Sequence, residues 1–180
     1  MDAAKSIKEI KSLTKIPLIA DIHFDYRLAL ESIKNGIDAL RLNPGNIKDK
    51  EKVKEVIKEA KARDLTIRVG VNGGSLDRAI YKEESAGEHI KLMEDLNFTN
   101  IKVSLKSSDI KTTIDANILF RKKYDYPIHL GVTEAGTLRS SLIKSTSALS
   151  YLIMNGIGDT IRYSITGDPV ERVMAGEKNF

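Results

Sequence analysis

Ala39-Leu40-Arg41-Leu42-Asn43 and Thr66-Ile67-Arg68-Val69-Gly70-Val71-Asn72 are the two stretches that decide the fold. Each is a short apolar run that carries one arginine and closes on an asparagine. Arg41 and Arg68 stand 27 residues apart. Between them, residues 49–63 place Val53, Val56, Ile57 and Ala60 on one helical stripe. Strand, helix and strand at a spacing near the roughly 30 residues of one βα unit imply parallel strands joined by a right-handed crossover.

The pattern repeats outward from this unit. Further strands are predicted at 17–24, 100–106, 127–133 and 160–165, all rich in Ile, Val and Leu, as parallel strands covered on both faces require. Ile110, Ile114 and Ile118 form the predicted apolar stripe of a helix over 108–122. Ile7, Ile10 and Leu13 do the same for an opening helix over 2–14. Gly36 and Gly156 stand where helices should end, as C-terminal glycines before the next strand. The fold class is α/β. An open doubly wound sheet accommodates six strands, and so does six-eighths of a (β/α)8 TIM barrel, whose usual length is about 250 residues against 180 here.

Composition narrows the chemistry. The chain has no cysteine, which removes disulfides, thiolate zinc sites, cysteine nucleophiles and any cluster held by its own thiolates. The net charge is +4, with 30% of residues charged. Much of that charge alternates, as in Lys50-Glu51-Lys52-Val53-Lys54-Glu55, the mark of a solvated helix face. Six Tyr and four Phe are scattered rather than interleaved with basic clusters, so nucleic acid is not the expected partner. No apolar run approaches the ~18 residues of a membrane span, and a cytoplasmic location is expected. No carboxylate or histidine set has metal-ligand spacing, and His89, in a charged helical stretch, reads as a surface residue.

The strands carry polar residues at a recurring place near their C-terminal ends. They are Asp21 and His23; Arg41 and Asn43; Arg68 and Asn72; Lys102, Ser104 and Lys106; His129 and Thr133, with Glu134 just beyond; and Arg162 and Ser164. Within each strand the spacing is two or four, which places the side chains on one face. In a barrel that face is the interior, and its C-terminal rim is where such enzymes keep their chemistry. Any one of these residues alone reads as a salt bridge or a hydrogen-bonded layer. For six strands together that reading is poor, because desolvating so many charges without a purpose is costly. Such a cationic bowl suits a phosphate or diphosphate, whose oxygens arginine binds bidentately. Glu134, among the cations, is the candidate general acid once a polyanion is bound.

Two glycine-rich pieces read differently. Gly70-Val71-Asn72-Gly73-Gly74-Ser75 follows a strand and has backbone N–H groups to lend to an anion, without the spacing of a P-loop. Gly156-Ile157-Gly158-Asp159-Thr160 precedes a strand and is read as a tight αβ turn. Asn43-Pro44-Gly45-Asn46 is a turn-forming string.

Taken together, several strings resemble a known family. They are Ala20-Asp21-Ile22-His23-Phe24, Arg41-Leu42-Asn43-Pro44-Gly45-Asn46, Arg68 through Leu76, Lys102-Val103-Ser104-Leu105-Lys106, His129 through Gly136, and Gly156 through Arg162 with Asp168-Pro169-Val170-Glu171. In order and spacing they resemble the barrel domain of the 4-hydroxy-3-methylbut-2-en-1-yl diphosphate synthases of the non-mevalonate isoprenoid pathway. The resemblance implies reductive ring opening of 2-C-methyl-D-erythritol 2,4-cyclodiphosphate, with electrons from ferredoxin or flavodoxin through a four-iron four-sulfur cluster. It assigns substrate binding to Arg41, Asn43, Arg68, Asn72, Lys106, Arg162 and Ser164, and the acid to Glu134; Asp21 and His23, on the same strand face, are also expected to bind substrate. It also implies a homodimer.

The departures from that pattern are specific. The family's cluster ligands, three Cys and a Glu in a C-terminal domain, have no counterpart here. The opening helix resembles the family's second barrel helix, so residues 1–180 are expected to be a partial substrate-binding barrel with six of eight strands, catalytically incomplete alone. The segment 77–96 is shorter than the family's. Ser140-Ser141 and Thr146-Ser147 replace glycine and small apolar residues. Tyr163 replaces a small aliphatic residue on the helix-facing side of the last strand. The alternatives are a barrel transferase of the pterin-binding type, which shares a phosphate-accepting mouth, and a non-functional remnant.

Overall fold

The computed structural model describes residues 2–42, 47, 49–72 and 78–179, the side chains of 72, 78–82, 178 and 179 excepted. Along the chain run α1 (Asp2–Lys5), α2 (Ile7–Leu13), β1 (Ile19–Ile22), α3 (Tyr26–Lys34), β2 (Ala39–Leu42), α4 (Lys50–Ala62), β3 (Thr66–Asn72) and α5 (Arg78–Glu94). Then come β4 (Ile101–Lys106), α6 (Ile110–Lys123), β5 (His129–Leu130), α7 (Leu138–Met154), β6 (Thr160–Ile161) and α8 (Pro169–Asn179). One sheet has the order β1-β2-β3-β4 and a second pairs β5 with β6, without closing into a ring among the described residues. The β1–β2, β2–β3 and β5–β6 pairings are parallel, as the βα repeat requires. The chain divides into two compact units, Met1–Gly70 with Gly87–Lys102, and Val71–Ala86 with Val103–Phe180.

In the first unit, α4 forms because Asp49 caps its N-terminus, accepting hydrogen bonds from the N–H groups of Glu51 and Lys52. Its Val53, Val56, Ile57 and Ala60 are buried, the stripe expected from sequence. The core of this unit also takes Leu40 and Leu42 of β2, Ile67 and Val69 of β3 and Ile90 of α5. The opening helix differs from expectation. It is broken at Ser6, whose hydroxyl donates back to the Asp2 carbonyl, the local competition that loosens a serine-bearing helix turn.

β1 also starts later than predicted, at Ile19. Pro17 has no N–H to give a ladder, and the Leu18 N–H donates instead to the Asp38 carboxylate at 2.7 Å. Asp38 returns its own N–H to the Leu18 carbonyl and accepts from Lys11 at 2.5 Å. Lys11 first, and then the Leu18 N–H, hold the Asp38 carboxyl below its ordinary value of 3.8. A lowered carboxylate contributes stability that is complete above 3.8 and is lost as pH falls through the folded value. The Asp38→Asn variant is therefore expected to show a flatter acid limb in denaturation measured between neutral pH and pH ~3. A limb as steep as that of the parent would remove Asp38 from the account.

The second unit repeats this device. The Ile128 N–H donates to the Asp159 carboxylate at 2.7 Å, and Asp159 returns its N–H to the Ile128 carbonyl at 2.9 Å. Asp159 thus takes the Ile128 N–H, while Ile128 still bridges Val103 of β4 and the Val103 N–H donates to the Pro127 carbonyl; the regular strand is His129–Leu130, far shorter than the predicted 127–133. β6 likewise covers two residues of the predicted 160–165. Gly36 and Gly156 take the left-handed conformation expected at helix ends, with φ of 83° and 72°.

α6 buries Thr113, Ala116, Asn117 and Phe120, whereas Ile110, Ile114 and Ile118 lie half-buried on its flanks. Asn117 decides this face. Its amide N–H groups donate to the carbonyls of Leu105 and Thr113, which draws a polar residue inside although its Oδ1 has no partner among the described residues, and Phe120 fills the core beside it. Tyr163 is buried on the helix-facing side, as expected. Its hydroxyl lies 3.0 Å from that of Thr146 on α7, so two departures from the family pattern are bonded to one another. No helix among the described residues is long and apolar enough to cross a membrane.

Candidate anion-binding residues

Parallel register, not chance proximity, assembles the candidate residues of the first unit. Asp21 of β1 is the ladder partner of Arg41 of β2, and Arg41 is the ladder partner of Arg68 of β3. The 27-residue spacing read from the sequence therefore becomes one row across three strands. Arg41 is 5% exposed, and its Nη1 donates to Asp21 Oδ1 at 2.7 Å. Asp21 itself is half exposed, and His23 Nε2 lies 3.5 Å from the same oxygen. The row thus sets two guanidinium-bearing residues side by side, with Asp21 bonded to Arg41, a pairing of cations suited to an anion.

The second unit assembles its own set. Lys106 at the end of β4 is buried, and its Nζ lies beside Gly131, just past β5. Arg162, just past β6, is exposed, and its N–H continues the β5–β6 pairing by donating to the Leu130 carbonyl at 3.0 Å. Ser164 is half-buried two residues further on. His129 is buried within β5 with Nδ1 2.9 Å from Thr160 Oγ1, so its role includes joining the two strands.

Glu134 is exposed and takes φ of +52°, the left-handed region that a glutamate adopts only when its surroundings impose it. Those surroundings are visible on both sides. The Thr133 N–H donates to the Ser107 carbonyl at 2.9 Å, and the Gly136 carbonyl accepts from Thr166 at 2.9 Å. Glu134 lies four residues past the end of β5, and the backbone on either side of it is held by these bonds. One sign of this turn is visible in the sequence, the Glu134-Ala135-Gly136 string, whose glycine has φ of +93°.

Asn43 lies outside the described residues, as do the turn that contains it and the piece Gly73-Gly74-Ser75; Asn72 is placed in β3 by its backbone alone. His89 lies on α5, half-buried rather than fully on the surface. Sequence reasoning missed the buried Glu83 of α5, which accepts from Lys123 of α6 at 2.7 Å and ties those helices. It also missed that both Arg41 and Lys106 lie against glycines of the following strand segment.

A family model described as the GcpE TIM-barrel domain matches residues 1–177. Among similar proteins, the 4-hydroxy-3-methylbut-2-en-1-yl diphosphate synthase (flavodoxin) of Clostridium acetobutylicum is 53% identical over 98% of this chain and 54% of its own length. The synthase of the same description from Clostridium perfringens is 49% identical over 100% of this chain and 55% of its own. The one from Caldanaerobacter subterraneus subsp. tengcongensis is 52% identical over 98% and 52%. The chain spans about half the length of these curated relatives. Among solved structures, FolP (dihydropteroate synthase) from Clostridium difficile superposes with a TM-score of 0.64 at 18% identity, covering 96% of this chain and 70% of that one. A type I 3-dehydroquinate dehydratase from Clostridium difficile does so at 0.55 and 16%, covering 89% and 68%. Those two likenesses speak to the fold alone. A matching model over nearly all of the chain, and half of its residues shared with such relatives, make the chain a member of the GcpE TIM-barrel domain family.

Proposed function

We propose that this chain carries the substrate-binding barrel of a 4-hydroxy-3-methylbut-2-en-1-yl diphosphate synthase, which opens the ring of 2-C-methyl-D-erythritol 2,4-cyclodiphosphate by two-electron reduction. The observation that carries the reading is the Asp21–Arg41–Arg68 row, which sets two arginines in register at the strand position the family resemblance assigns to the diphosphate. Arg41, Asn43, Arg68 and Asn72, with Lys106, Arg162 and Ser164, would bind the phosphoryl oxygens, each as a charge-assisted or neutral donor. Asp21, bonded to Arg41, and His23 beside Asp21 would complete the substrate-binding set. Glu134, exposed and with its backbone held at φ of +52°, would deliver a proton to the oxygen that departs.

The four-iron four-sulfur cluster that the resemblance implies does not fit this chain. There is no cysteine, and the described residues contain no group of three His, Asp or Glu side chains placed to hold a metal. The roles that fall to the chain's own residues are therefore binding, orientation and proton delivery. Electron delivery belongs to a cluster-bearing segment or partner, with flavodoxin as the proposed donor in keeping with the relatives' names and ferredoxin as the other. A homodimer and a cytoplasmic location belong to the same proposal.

Calorimetric titration of the chain tests it. The cyclodiphosphate is expected to bind, inorganic pyrophosphate to bind more weakly, and a pterin diphosphate not to bind. Preference for the pterin diphosphate would transfer the chain to a barrel transferase, and binding of none of the three would end the reading.

A further inference from the structure

Arg41 and Lys106 belong to different units, yet each meets the same feature. A Cβ built on Gly70 of β3 would have the Nε, Nη2 and Cζ atoms of Arg41 as its three nearest neighbours, with Nε well inside van der Waals contact. A Cβ built on Gly131 would lie 3.1 Å from Lys106 Nζ and 3.2 Å from its Cε. In each case the cation comes from the strand that precedes the glycine in sequence. Gly70 lies two residues beyond Arg68 and so shares its face of β3, while Arg68 is the ladder partner of Arg41. Arg41 therefore leans along the strand direction by two residues, and its head lies where any larger residue at 70 would put its first carbon.

Glycine inside a strand costs stability and needs a reason. At Gly70 the backbone is not that reason, because φ there lies outside the left-handed region and the nearest atoms belong to one side chain. At Gly131 a backbone atom competes, since the Arg162 carbonyl would lie 2.7 Å from the added carbon. Gly70 is accordingly the position at which the two explanations separate.

We propose that Gly70 is a positioning residue for an anion-binding cation: it keeps open the space in which Arg41 of the preceding strand lies. The proposal rests on the reading of Arg41 as a ligand for a diphosphate, and it names what sets its direction. A methyl group at 70 would push the guanidinium away from Gly70, and with it the bond to Asp21 Oδ1. The clash is with the end of a flexible side chain, so the fold tolerates it while the cation does not keep its place.

The test uses the full chain as Gly70→Ala, Arg41→Ala and the double variant, with inorganic pyrophosphate as the probe and NMR of the arginine Nε–H signals as a second readout. Gly70→Ala is expected to weaken pyrophosphate binding about tenfold and to raise solvent exchange at the Arg41 Nε–H, with the melting temperature held. In the Arg41→Ala background the same substitution is expected to add nothing, because the group it displaces is gone. Gly176→Ala in α8, where nothing lies within 4 Å of the added carbon, serves as the control and moves neither readout. An unchanged Arg41 signal in Gly70→Ala, or losses that simply add in the double variant, would overturn the proposal. If the parent chain binds no pyrophosphate, the ligand reading fails separately, and the Arg41 signal still decides the role of Gly70.

Discussion

Replacing Arg41 by alanine is expected to weaken pyrophosphate binding about 30-fold, a loss of about 2 kcal/mol. The size follows from where the guanidinium sits. Its side chain is 6% exposed and that of Asp21 is 52% exposed, so the ion pair has one dry end and one wet end. A buried cation requires compensation, and a half-solvated carboxylate shared with His23 supplies only part of it. Arg68, next in register, adds a like charge rather than a neutralising one. An incoming diphosphate completes the compensation with short, charge-assisted bonds, which run to about 1.5–3 kcal/mol each. Because Arg41 is shielded, raising the ionic strength should erode its contribution less than it erodes a surface contact. Arg63, exposed and paired with Glu59 one helical turn away, provides the comparison: Arg63→Ala should change the affinity by less than twofold. Titration calorimetry on folded protein reads both. A dissociation constant within twofold of the parent for Arg41→Ala would reduce that residue to a structural partner of Asp21.

The row of Asp21, Arg41 and Arg68 was legible in the sequence because parallel strands of a βα repeat keep a constant offset. Equal spacing between arginines then converts directly into ladder partners. The stripe of α4 was legible for a similar reason, since its polar positions carry full charges that admit no burial. α6 was not legible. Thr113 and Asn117 look like surface residues until the Leu105 and Thr113 carbonyls appear as acceptors for the Asn117 amide. Polar donors that find buried acceptors override the apolar pattern, and the three isoleucines move to the flanks. The starts of β1 and β5 were hidden in the same way. A side-chain carboxylate, Asp38 or Asp159, takes an N–H that the pattern assigns to the ladder. Glycines were the least legible. One and the same residue type ends a helix at Gly36, makes room for a cation at Gly70 and turns the chain at Gly158, and only the neighbouring atoms tell these uses apart.

Gly158 is where that distinction carries the largest energetic consequence: Gly158→Ala is expected to destabilise the chain by about 4 kcal/mol. Two independent penalties meet there. The backbone has φ of +124°, a conformation L residues rarely adopt, which costs about 1–3 kcal/mol for alanine. The added carbon would also fall well inside contact with Cδ1 of Leu130, with Cγ at 2.9 Å. Leu130 is 1% exposed and belongs to β5, so it cannot swing into solvent, and overpacking a core residue costs about a further 1–3 kcal/mol. The neighbouring turn residue separates the two effects. Gly156 has φ of +72° and nothing within 4 Å of an added carbon, so Gly156→Ala pays for conformation alone, about 1 kcal/mol. Urea denaturation of both variants measures the difference, with the midpoint expected to fall several times further for Gly158→Ala at an unchanged slope. Equal losses at the two positions would mean that Leu130 yields freely and that the junction before β6 is less tightly packed than its burial implies. A larger loss at 158, relieved by Leu130→Ala in the same chain, would assign the excess to that single contact.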